Sequence, residues 1–192
     1  RMSVYSREWR TRGVQRTELT ARNWRCCGRL ALLRNKEEEA SNRKGNGKQF
    51  LDVNLAGREH GRWPSRLQVG NATLALLDEP QGMPLRSQMY RYRYAVNVEG
   101  HGGWADRLYH LLLSPQLVFA QDLPMKTWYE QAGLQHGVTH LAVDSGLRNL
   151  TASVRWARAQ GKEPAQRMVA RAQQVAEALT STAGMRLYVR EL

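Results

Sequence analysis

Tyr90-Arg91-Tyr92-Arg93-Tyr94-Ala95-Val96-Asn97-Val98-Glu99-Gly100-His101-Gly102-Gly103-Trp104-Ala105-Asp106-Arg107 is the stretch whose reading decides the fold. Its first part, Tyr92 to Val98, is rich in aromatic and β-branched residues and predicts a strand. Gly100, Gly102 and Gly103 then predict a flexible turn. The run WADRLYHLLL that follows places Leu108, Leu111 and Leu112 at helical spacing, so a helix is expected to start near Trp104. The order is strand, glycine loop, helix.

The same alternation continues downstream. Gln116 to Ala120, QLVFA, predicts a second short strand after the breaker pair Ser114-Pro115, and Pro124 is expected to open a short helix through MKTWYEQA. His140 to Val143 predicts a third strand. A helix with Leu147, Leu150, Val154 and Ala157 on its core face follows. After Gly161-Lys162-Glu163-Pro164 another carries Met168, Ala172, Val175 and Leu179, and GMRLYVREL closes the chain as a last helix or helix end. Parallel strands need crossover connections, and helices supply them. The expected fold class is therefore α/β, a parallel sheet with helices packed over it.

Upstream the pattern is looser. Residues 1–87 read as a basic segment, only partly organised, and 88–192 as the ordered domain. Phe50 to Leu55 alternates like a strand, RLALL at 29–33 suits a short strand or a helical turn, and 35–49 reads as a charged loop. GREHGRWPSR and DEPQGMP punctuate the approach to residue 88 with turn formers. With 192 residues and 42% hydrophobic content, one domain with an extension is the expected organisation.

The formal net charge of +12 points to phosphate-bearing partners, whether nucleic acid, anionic membrane or nucleotide. Arginines crowd the start, at Arg1, Arg7, Arg10, Arg12, Arg16, Arg22, Arg25 and Arg29, so part of the excess belongs to that segment. Cys26 and Cys27 are adjacent and give no disulfide framework, and the scattered histidines show no metal-ligand spacing, so no metal is expected. No apolar run reaches the roughly 18 to 20 residues of a membrane span. Asn71-Ala72-Thr73 and Asn149-Leu150-Thr151 are glycosylation sequons.

In an open parallel sheet, ligands bind beyond the carboxyl ends of the strands, which is where Glu99 to Arg107 is expected to lie. Glycines let the backbone approach an anion, a helix start offers N–H groups to it, and Arg107 can add a charge-assisted bond to a phosphate oxygen. GHGG is neither the GxGxxG dinucleotide fingerprint nor a GxxxxGK[ST] P-loop, so neither a Rossmann dehydrogenase nor a P-loop NTPase is supported.

Residues 88–192 resemble the C-terminal part of the Rumi-like protein O-glucosyltransferase and capsule-associated family, glycosyltransferase family 90. The likeness rests on an ordered series: Tyr90-Arg91-Tyr92-Arg93-Tyr94, Glu99-Gly100, Arg107-Leu108, LLLSPQLVFAQDLP, WYEQ, LAVDSGLRNL and VRWAR. It implies the Rossmann-like C-terminal half of a GT-B glycosyltransferase, without metal. The implied donor is UDP-glucose or UDP-xylose, and the acceptor a protein or glycan hydroxyl. It further implies that Arg107 neutralises the diphosphate leaving group and that Gly102, Gly103, Trp104 and Ala105 face the phosphates. Gln121 and Asp122, expected just past the second strand, would lie near the donor cleft or simply form the strand-ending turn. Arg29 would correspond to a basic residue of an upstream donor-binding segment.

The chain departs from the family in placing Glu99 where Asp is usual and Trp104-Ala105-Asp106 where a smaller loop is common. No residue stands out as the catalytic base. Of the aromatics, Trp128, Tyr129 and Trp156 are expected to pack and Trp104 to face ligand. The resemblance implies a secretory compartment, endoplasmic reticulum or Golgi lumen, and no nucleic-acid partner. The competing readings are a basic nucleic-acid-binding module, and a truncated transferase that binds UDP without turnover.

Overall fold

The computed structural model describes residues 31, 32, 35, 55–58, 66–69, 72–78, 85–98, 107–124 and 126–190. They fall into two units, one comprising 1–84 with the return segment 145–151, the other 85–144 with 152–192.

In the first unit, β1 (Leu55–Arg58) runs parallel to β3 (Ala72–Asp78), and β2 (Arg66–Val69) pairs antiparallel with β3. The β2–β3 pair was not expected from the sequence. Its signal is the dipeptide Gly70-Asn71 between two alternating runs, a hairpin signature. Leu55 opens β1, whereas the rest of the strand expected at 50–55 lies outside the described residues. Residues 31, 32 and 35 are helical, and the Asn35 amide donates to the carbonyls of Ala31, at 2.8 Å, and Leu147, at 3.0 Å. Leu147 is buried in a turn with φ of 56°, ahead of the helix whose core face it was expected to join.

The second unit holds the α/β layer. It begins with α1 (Leu85–Arg91) and β4 (Tyr94–Asn97), followed by α2 (Arg107–Leu112) and β5 (Leu117–Gln121). Then come α3 (Trp128–Gly133), β6 (Leu141–Val143), α4 (Leu150–Ala159, which starts in the return segment), α5 (Lys162–Thr180) and α6 (Thr182–Arg190). β4, β5 and β6 form an open three-stranded sheet, all parallel, with β5 in the centre.

Every residue of β5 is buried. A central parallel strand is covered on both faces, which is why LVFAQ reads as a continuous apolar run closed by one amide. Side chains alternate between faces. Val118 and Ala120 enter a cluster with Leu108, Leu111 and Leu112 of α2 and Ala172 and Ala176 of α5, while Leu117, Phe119 and Gln121 take the opposite face. On that opposite face Tyr94 meets Phe119 edge-on, with ring centroids 5.8 Å apart. Full burial of each such Leu or Phe contributes about 1.5–3 kcal/mol.

The turn between α2 and β5 is held by polar side chains. Ser114 Oγ donates to the Leu111 carbonyl at 2.6 Å, and Gln116 Nε2 donates to the Tyr92 carbonyl at 2.9 Å. From α5, Gln173 Nε2 reaches the carbonyls of Leu113 and Ser114. These bonds satisfy groups the turn would otherwise bury unpaired.

Several elements begin elsewhere than expected. β4 covers Tyr94–Asn97, inside the strand expected over Tyr92 to Val98, and α1, which the sequence did not indicate, ends just before it at Arg91. The helix carries Met89 onto the core cluster and leaves Tyr90 exposed. α3 starts at Trp128, not at Pro124, because Thr127 caps it: the Glu130 carboxylate accepts from Thr127 N–H and Oγ1–H, both at 2.7 Å. α5 starts at Lys162, ahead of Pro164. Gly161, with φ of 86°, supplies the left-handed residue before it, and a proline in the first turn sacrifices no helical bond. Ala165, Met168, Ala172 and Ala176 form its buried stripe, with Val175 and Leu179 half-buried.

α6 folds back on α5. Trp128 of α3 stacks on Tyr188 at 4.6 Å between ring centroids, so the packing expected of Trp128 is met, whereas Trp156 is 48% exposed. A Cβ added at Gly184 would fall 2.8 Å from the Leu179 carbonyl oxygen and closer still to that of Ala178. Backbone cannot yield as a side chain can. Gly184→Ala is therefore expected to destabilise by roughly 1–3 kcal/mol in urea unfolding and to alter the near-ultraviolet dichroism of the Trp128–Tyr188 pair. Ala183→Ser, on the exposed side of the same helix, is expected to do neither.

Candidate functional site at the carboxyl edge of the parallel sheet

The three strands end together. Asn97 pairs in register with Ala120, and Gln121 with Val143, so Asn97, Gln121 and Val143 mark one edge, followed by Val98, Asp122 and Asp144. The chain leaves β4 there and returns at Arg107, the first residue of α2. This is where an open parallel sheet presents a ligand crevice.

Arg107 Nη2 donates to the Val98 carbonyl at 2.5 Å. That bond ties the start of α2 to the end of β4 and orients a planar group with five N–H donors at the sheet edge. The side chain expected to meet a phosphate thus also has a structural duty.

Gln121 lies inside β5, not just past it, and is 3% exposed. The backbone ladder extends one residue further than the sequence indicated, because the Asp122 N–H donates to the Val143 carbonyl at 2.7 Å. Asp122 is the first residue beyond the strand and exposed. Its carboxylate pairs with Lys126 at 2.7 Å, a surface pair worth about 0–1 kcal/mol, which cancels much of the negative charge it would present to an anion. Glu99, Gly100, Gly102, Gly103, Trp104, Ala105 and Arg29 lie outside the described residues.

Asn97 is a site residue that the sequence does not single out. It is 4% exposed, and its Oδ1 is buried without a hydrogen-bond partner among the described residues. The available signal was an amide closing the apolar run Tyr94-Ala95-Val96. Asn97 shares the register of Ala120, so it lies on the α2 face of the sheet, whereas Gln121 takes the other face. The two buried amides flank the edge from opposite sides.

A second polar group sits at the start of β6. His136 and His140 form a bridge around a turn in which Thr139 Oγ1 accepts from the Gln135 N–H at 2.9 Å and contacts His140 Nδ1 at 3.1 Å. His136 Nδ1 accepts the N–H of Ala142 at 2.9 Å, and the Gly137 N–H donates to the His140 carbonyl at 2.8 Å. These bonds close the outer side of β6, a strand edge that would otherwise be open to pairing. Burial, with the neighbouring His136 and Lys126 adding to it against Glu130 and Asp122, pushes His140 down to about 4.

Among the described residues no group of three His, Cys, Asp or Glu side chains could hold a metal ion, and no helix is long and apolar enough to cross a membrane. No family model matches the chain, and no curated protein matches it. The architecture stands on its own geometry: an α/β unit with a small open parallel sheet.

The low value at His140 has a stability consequence. An unfolded histidine takes up its proton near 6.5, whereas the folded one does so only near 4. Between those values the unfolded state binds more protons, so stability is full above about 6.5, falls as the pH drops towards 4 and is level below. The full difference is on the order of 3 kcal/mol before solvent screening of this half-buried ring reduces it. In urea unfolding, the loss between pH 7.5 and 4.5 is expected to be smaller in His140→Gln than in the native chain. An identical slope in both would remove His140 as the cause.

Proposed function

We propose that the chain is the nucleotide-sugar-binding, Rossmann-like half of a GT-B glycosyltransferase, which passes glucose or xylose from a UDP-sugar to a protein or glycan hydroxyl. The observation that carries this reading is Arg107, fixed by Val98 at the carboxyl edge of a parallel β-α-β unit. The ordered likeness of residues 88–192 to glycosyltransferase family 90 supports it. That likeness also supports a proposed location in the secretory pathway.

The chemistry is a displacement at the anomeric carbon. The acceptor oxygen bonds to that carbon while the carbon–oxygen bond to UDP breaks, and the electron pair leaves with the diphosphate. Negative charge grows on the leaving group as the bond stretches. A guanidinium held in place at that point stabilises the transition state more than the ground state, which is the requirement for catalysis. The acceptor proton needs a base, and no described residue is assigned that role.

Titration of the chain with UDP by calorimetry tests the reading. Saturable binding is expected, weakened at least tenfold in Arg107→Ala, about 1.4 kcal/mol or more. Because Arg107 also holds Val98, the melting temperature of the variant must be read alongside. Loss of UDP binding with the fold intact supports the role, and undiminished binding removes it. Binding of single-stranded RNA or DNA that falls steeply with salt, without UDP binding, would favour the basic nucleic-acid module instead. UDP binding without transfer or hydrolysis of the donor would mark a transferase remnant.

A further inference from the structure

We propose that Asn97 is a ligand-reading residue, whose side-chain carbonyl accepts a hydrogen bond from a hydroxyl or N–H group of the bound nucleotide sugar. The proposal rests on the nucleotide-sugar reading of this edge and adds a residue and a chemical distinction to it.

Buried polar side chains in folded proteins are nearly always partnered, because an orphaned acceptor forfeits its bonds to water and gains none in return. Asn97 departs from that rule. Its Oδ1 has no partner among the described residues, although the residue is 4% exposed. The contrast with other amides of the unit is direct: buried Gln116 donates to the Tyr92 carbonyl, buried Gln121 has a partner, and half-buried Gln173 donates to the carbonyls of Leu113 and Ser114. Gln116 and Gln173 hold the opposite, amino end of β5 and the turn before it. The orphan is at the carboxyl edge.

Position supplies the second observation. Asn97 is the last residue of β4 in the ladder, one residue before the Val98 carbonyl that anchors Arg107. It lies on the α2 face, the side from which the chain crosses over. A ligand whose diphosphate is met by Arg107 therefore has other atoms within the neighbourhood of Asn97.

The chemistry of the orphan atom limits which ligand atoms these are. An amide oxygen accepts and cannot donate. Ionised phosphate oxygens also only accept, so they cannot serve it. Hydroxyls of ribose or of the transferred sugar, or the N–H of a uracil ring, can. Asn97 is thus assigned to the donor-bearing part of the ligand and Arg107 to its anionic part.

The test compares the full chain with Asn97→Leu, close in size and without polar atoms, and Asn97→Ala as a second variant should the first fold poorly. Each is titrated with UDP, UDP-glucose and inorganic pyrophosphate, and each melting temperature is measured without ligand. Both variants are expected to bind UDP or UDP-glucose roughly three- to tenfold more weakly, the share of one hydrogen bond, with pyrophosphate affinity unchanged. Asn97→Leu is expected to melt at least as high as the native chain, because it removes the orphan. Native affinity for both nucleotides in the variants overturns the role of Asn97 while leaving the functional reading intact. An equal loss for pyrophosphate also overturns it, since the edge as a whole would then have been disturbed. A native chain that binds neither UDP nor UDP-glucose overturns the reading and this role together.

Discussion

Burial of β5 on both faces is the constraint from which the rest of the second unit follows. Leu117, Val118, Phe119, Ala120 and Gln121 are all removed from water, so the strand needs partners at both edges and cover above and below. β4 and β6 supply the edges. Both run parallel to it, so the chain must cross back after each strand, and α2 and α3 occupy those crossovers. α5 then packs on α2, α3 and β5 with its stripe of small residues, Ala165, Ala172 and Ala176. Small side chains let that long helix lie close.

The same constraint brings the carboxyl ends of the strands together and makes that edge chemically distinct. The amino end of the sheet is satisfied: Ser114 and Gln116 consume the carbonyls of the α2–β5 turn and of the chain entering β4. At the carboxyl end, Val98 engages Arg107, Asp122 engages Lys126, and Asn97 keeps an unmet acceptor. One end of the sheet closes the fold, and the other end offers polar groups. That division of labour supports the proposal of a ligand site at this edge.

The outer edge of β6 shows how a short sheet limits unwanted pairing. His136 takes the N–H of Ala142, and Gly137 takes the carbonyl of His140, so a tight turn stands where another strand could add. The half-buried neighbour His140 is held below its ordinary range chiefly by burial.

Much of the α/β unit was legible from residues alone, because strand and helix signals there are local. QLVFA, HLAV and the 3.6-residue stripe through Met168 and Ala172 lie within a residue or two of the elements they form. The class of fold, the succession of strand and helix, and the position of Arg107 at a strand-to-helix crossing were all determined by the sequence. What it could not determine depends on partners distant in the chain. β4 is preceded by a helix that carries Met89 onto the core cluster, Leu147 left its helix for a left-handed turn whose carbonyl meets Asn35, and Gln121 stayed within β5 because Val143 extended the ladder. Asn97 is the clearest case. A polar residue in an apolar run carries no label, and only tertiary packing decides whether its amide is satisfied, since a hydrogen-bond partner is a matter of distance in space.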